Sequence, residues 1–77
     1  MEKSINQKVG FIIREYRMKS AVSQDKLAKE IGVHRSYIGA IERAEKSISV
    51  RTLNKICKSL NIPLSKFFKT LESHKYL

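Results

Sequence analysis

The sequence predicts an all-α fold of five short helices, and three observations carry that expectation. Apolar residues recur three and four positions apart along most of the chain, as in Val9, Ile12, Ile13 and Tyr16. Helix-capping and helix-breaking residues separate these stretches at Ser23, Gly32, Ser49 and Asn61-Ile62-Pro63. No segment alternates with the period of two that a half-buried strand requires. With 77 residues, 42% of them apolar, the chain suits one domain over 1–77 with its core in about 6–72. A domain of this size buries roughly 60% of its unfolded surface.

The first helix is expected to start near Asn6, capped by Ser4 or Asn6, after a loose polar segment over residues 1–5. Its buried stripe is Val9, Ile12, Ile13 and Tyr16. Ser23 caps a second helix whose polar first turn, Gln24, Asp25 and Lys26, leads to inward Leu27, Ala28 and Ile31. Gly32 ends it, because glycine supplies the left-handed conformation of a sharp turn, and Val33 fills the angle to the next helix. The third helix turns Ile38 and Ile41 inward and leaves His34, Arg35, Ser36, Gly39, Ala40 and Arg43 pointing out. Ser49 caps the fourth, with the stripe Val50, Leu53, Ile56, Cys57 and Leu60. Pro63 breaks that run and suits the first turn of a fifth helix, whose stripe is Leu64, Phe67, Phe68 and Leu71, with 72–77 fraying.

Charge and absent chemistry narrow the function. Sixteen Lys and Arg against seven Asp and Glu give a net charge of +9, which favours a polyanionic partner such as nucleic acid over a merely basic surface. The single cysteine, Cys57, cannot form an internal disulfide and sits on a helical apolar stripe, so it reads as core in a reducing, cytoplasmic setting. No stretch has the apolar length of a signal peptide or a membrane span. His34 and His74 stand far apart without ligands at metal spacing, so no metal is expected. Neither a nucleophile with its base, an acid/base carboxylate pair nor a phosphate-cradling glycine loop is present, which argues against an enzyme and any cofactor.

Residues 23–43, SQDKLAKEIGVHRSYIGAIER, therefore stand out as two helices joined by a tight turn, a helix-turn-helix signature. The second has a narrow outer face on which small residues allow a deep seat in a groove. There Arg35 can meet a guanine edge with both ends of its guanidinium.

The string Ser23-Gln24, Leu27-Ala28, Ile31-Gly32-Val33, Ser36, Ile38, Ile41-Glu42-Arg43 resembles the phage-repressor-like (Cro/C1, XRE) helix-turn-helix domain over roughly residues 7–70. The run HRSYIGAIERAEKSISVRTL looks most like the controller proteins of type II restriction-modification systems. The resemblance implies a compact, five-helix, lambda-repressor-like DNA-binding domain. It also implies a pair between Arg17 and Glu42 that ties the first helix to the third. Two departures stand against it: Ala21 occupies a place where glycine is usual, so the first helix is expected to end differently. Ala44-Glu45-Lys46 is expected to let the third helix run on.

The expected DNA contacts divide by role. Arg35 and Ser36 open the recognition helix and read base edges, and Ala40 touches a thymine methyl. Gln24 meets a flanking phosphate at the start of the second helix, and His34 caps the third or meets phosphate. Tyr37 either packs or, as the resemblance implies, approaches the DNA. Arg43, Lys46 and Arg51 face phosphate or a minor groove.

One module this small binds weakly, so a homodimer is expected, with an apolar interface drawn from Ile48, Ile62, Leu64, Phe67 and Phe68. The resemblance implies a regulator that activates and represses its own operon, with two dimers at one promoter as a further option. Activation would require contact with RNA polymerase, which no residue announces. A phage or mobile-element repressor is the alternative, or an antitoxin-type interaction module whose main partner is a protein.

Overall fold

The computed structural model describes residues 4–73 as five helices: α1 (Ile5–Lys19), α2 (Gln24–Ile31), α3 (Arg35–Glu42), α4 (Val50–Ser59) and α5 (Leu64–Ser73). There is no strand among the described residues. Side-chain caps start four of them. Ser4, Ser23 and Ser49 accept the backbone N–H of Gln7, Lys26 and Thr52, and His34 caps α3. At α1 the Gln7 amide reciprocates by accepting the Ser4 N–H at 2.9 Å, a capping box that settles two otherwise unpaired donors. Ser4 is thus fixed where a loose polar segment was expected, and α1 starts at Ile5. The rest of that segment, residues 1–3, and the expected fraying over 74–77, with His74, lie outside the described residues.

The helix ends differ from the sequence expectation. Ala21 and Ala44 both adopt left-handed conformations, with φ of 55° and 62°. Each closes its helix as glycine would, through paired backbone bonds: Val22 N–H to Arg17 O and Ala21 N–H to Met18 O, then Glu45 N–H to Ala40 O and Ala44 N–H to Ile41 O. α1 therefore ends in the usual way without the usual glycine, and α3 stops at Glu42. Asn61, with φ of 59°, does the same for α4, and Gly32, at 78°, for α2.

α2 packs most extensively on α3, α1 crosses α3, and α4 and α5 close the far side. The core holds Val9, Ile12, Ile13, Leu27, Ala28, Ile31, Ile38, Ile41, Leu53, Ile56, Cys57, Leu60 and Phe67. Burial pushes the Cys57 thiol above its ordinary value, as expected for a core group. Two expected faces move. Val50, assigned to the α4 stripe, is 67% exposed because it is the first residue of its helix and overhangs the core. Phe67, assigned to the dimer surface, is 1% exposed. It completes the core between Tyr16 and Phe68, whose rings lie 6.3 and 5.9 Å away. Tyr16 and Thr70 hydroxyls, 2.8 Å apart, tie α1 to α5.

Candidate nucleic-acid interface

α3 is anchored from behind by a charged clamp. Arg17 donates to Glu42 twice, Nε to Oε2 at 2.7 Å and Nη2 to Oε1 at 3.0 Å, while its Nη1 reaches the Val22 carbonyl at 2.9 Å. Gln24 Nε2 also donates to Glu42 Oε1, at 3.0 Å. The two charged side chains are 12% and 4% exposed. A pair this dry is stable only when the carboxylate is fully bonded, which the three donors achieve. The clamp joins the end of α1, the start of α2 and the end of α3, and so fixes the angle of the two-helix unit. Gln24, expected to offer its amide to phosphate, spends one N–H on this clamp.

Gly10 adds a contact that sequence reasoning missed. A Cβ there would collide with the Ile41 carbonyl oxygen and stand 2.9 Å from that of Glu42. α1 and α3 thus touch backbone to backbone. The available signal was a glycine in mid-helix, where it costs roughly 1 kcal/mol relative to alanine and so marks a close approach.

On the outer side, Arg35 is exposed and makes no hydrogen bond or ion pair with any described residue, leaving its donors unspent there. Beside it, His34 Nδ1 accepts the Ser36 N–H at 3.1 Å and lies 2.8 Å from the Ser36 hydroxyl. The imidazole is therefore the α3 cap, and the Ser36 hydroxyl leans on that cap. Tyr37 is half-buried against the core, so part of its ring is committed to packing. Lys46 and Arg51 are exposed.

Ala40 does not point out as expected. It is 8% exposed, so its methyl offers a thymine little surface. Arg43 differs too. Its Nε and Nη2 donate to Glu45 Oε2 and Oε1 at 2.9 and 3.1 Å. Its Nη1 lies 2.9 Å from where a Cβ on Gly39 would stand, so the guanidinium covers the buried Gly39. The mutual hydrogen bond holds the Glu45 carboxyl below its ordinary value and raises that of Arg43. The pair is accordingly intact at neutral pH and is lost as pH falls through the lowered Glu45 value. Glu45 was not anticipated as part of the site, because α3 was expected to run on through Ala44, whose left-handed conformation turns the chain there instead.

Comparison with known proteins places this geometry. The HTH_3 helix-turn-helix family model matches residues 13–67. The chain belongs to the helix-turn-helix family. It is a regulator-type member similar to restriction-modification controllers. It is 40% identical over 63 residues to the control protein C.BamHI of Bacillus amyloliquefaciens, covering 80% of this chain and 78% of that protein. It is 41% identical over 54 residues to C.SmaI of Serratia marcescens, covering 70% of this chain and 64%, just under two thirds, of that protein. Among solved structures, the controller C.Esp1396I, a tetramer in complex with its natural 35 base-pair operator, superposes with a TM-score of 0.83. It shares 31% identity, with 92% of this chain and 93% of that one covered. No described helix is long and apolar enough to cross a membrane.

Proposed function

We propose that this chain is a homodimeric, sequence-specific DNA-binding regulator of transcription, of the restriction-modification controller kind and not an enzyme, acting in the cytoplasm where its operator lies. The observation that carries the proposal is the outer face of α3, with an unspent Arg35 at its start, held rigidly from behind by the Arg17–Glu42–Gln24 clamp. A preorganised two-helix unit of this kind seats its second helix in a major groove, where Arg35 reads guanine O6 and N7. Lys46, just beyond α3, and Arg51, in the first turn of α4, supply phosphate contacts, and the remaining amide hydrogen of Gln24, with the free N–H groups opening α2, supplies one on the flank. The operator complex of C.Esp1396I supports the same mode.

Dimerisation supplies the second half-site. Phe68 is 41% exposed, and Ile48, Ile62 and Leu64 are partly buried beside the core, an apolar surface suited to a two-fold partner. Autoregulation of its own operon, with low occupancy activating and high occupancy repressing, belongs to the same proposal, with a second dimer at the promoter.

Selection of bound duplexes from a random pool tests the proposal. A symmetric motif with half-sites about one helical turn apart is expected, and log K should fall by ~0.9 per phosphate neutralised against log salt. A pool that stays random, or binding indifferent to salt, would defeat it. Arg35→Ala should lose ~1–3 kcal/mol on the selected duplex and much less on a scrambled one.

A further inference from the structure

We propose that Arg43 is a second base-reading residue and that Glu45 positions it, leaving one edge of its guanidinium free to meet a guanine. The inference rests on the DNA-binding reading above and deepens it. Arg43 follows Arg35 and Gly39 at steps of four, so the three share one face of the recognition helix. The fork does not extend away from that face. Nη1 lies over Gly39, 2.9 Å from the position of an added Cβ.

Glu45 takes the side of the fork formed by Nε and Nη2, at 2.9 and 3.1 Å. Left over are the N–H groups of Nη1 and the second N–H of Nη2, two near-parallel donors on the end of the fork. That edge matches the O6 and N7 acceptors of guanine. Glu45 is itself held in place, because its N–H bonds to the Ala40 carbonyl at 2.8 Å across the left-handed Ala44. The other acid nearby, Glu42, is occupied by Arg17 and Gln24 and does not compete for the fork.

An arginine meant for phosphate gains nothing from this arrangement. A carboxylate beside it repels the phosphate and removes part of the charge that binds any DNA sequence alike. A base reader gains, since an oriented planar fork loses less rotamer freedom on binding than an extended one.

The two roles predict opposite signs for one isosteric change. Glu45→Gln raises the net positive charge, so affinity for a scrambled duplex should rise, yet affinity for the duplex selected by the wild-type chain should not follow. The selected-to-scrambled ratio is expected to fall roughly three- to ten-fold. Glu15→Gln, the same charge change on α1, should leave that ratio unmoved. Arg43→Lys keeps the charge but has no two-donor edge, and should lower the ratio about ten-fold or more. Circular dichroism spectra matching the wild type would establish that all three variants fold.

If Glu45→Gln and Arg43→Lys both leave the ratio unchanged, Arg43 is a phosphate contact and the proposal is overturned. A wild-type chain that selects no sequence overturns the DNA reading itself, which is a different result.

Discussion

Ala21, Ala44 and Asn61 all hold positive φ, a conformation costing an L-residue about 1–2 kcal/mol. Asparagine bears it more readily than alanine, because its side chain bonds locally. Replacing Ala21 or Ala44 by glycine removes the clash but adds freedom to the unfolded chain, which takes back about 0.4–1 kcal/mol. Each substitution is expected to stabilise the protein by roughly 0.5–1 kcal/mol, read as a higher urea midpoint at unchanged slope. A lower midpoint at Ala44→Gly would show that the alanine methyl makes packing contacts worth more than the strain. The Arg17–Glu42 pair belongs to the same scale. With exposures of 12% and 4%, it should show in a double-alanine cycle a coupling above the ~0.2–1 kcal/mol of open-surface pairs. Removing one partner alone strands the other, so either single mutant should cost more than the double mutant's share.

Between elements, the decisive contact is the crossing of α1 and α3 at Gly10. Backbone carbonyls occupy the space a Cβ would need, and they cannot swing aside as a side-chain tip can. Gly10→Ala is therefore expected to destabilise by about 1–3 kcal/mol, as overpacking does, despite alanine's better helix propensity. Because the shift displaces α3 relative to α2, it should also weaken operator binding in molecules that remain folded. Thermal melts and duplex titrations on one sample separate the two effects. A Gly10→Ala protein as stable as the wild type would mean that the α1–α3 crossing widens without cost.

For the whole molecule, association is the property most exposed to test. Phe68 is 41% exposed while its neighbour Phe67 is 1% exposed, so charging them should have opposite consequences. Phe68→Lys should leave a folded monomer, since an ammonium group cannot be buried unpaired in an apolar interface. Phe67→Lys should unfold the chain outright. Sedimentation over a range of concentrations distinguishes the two, and a dimer undiminished by Phe68→Lys would place the interface elsewhere. Loss of the dimer should also cost operator affinity far more than affinity for unrelated DNA, because only the operator offers both half-sites.

Local patterns in the sequence determined the five helices, the caps at Ser23 and Ser49, the left-handed Gly32 and the core positions Leu27, Ile38 and Cys57. Spacing, capping chemistry and glycine's freedom act over a few residues, so one chain suffices to read them. The family likeness was legible for the same reason, being written in the short run from Ser23 to Arg43. Tertiary structure decided which of two adjacent apolar residues is core, Phe67 or Phe68, since both satisfy the helical period and only the position of α1 chooses. It decided that Ala21 and Ala44 accept a strained conformation, because the turns they close are demanded by helices packed elsewhere. It decided that Ala40 is buried, and that Arg43 is bound to Glu45 across the outer face of α3. Such contacts depend on backbone direction after each turn, which composition and periodicity do not encode.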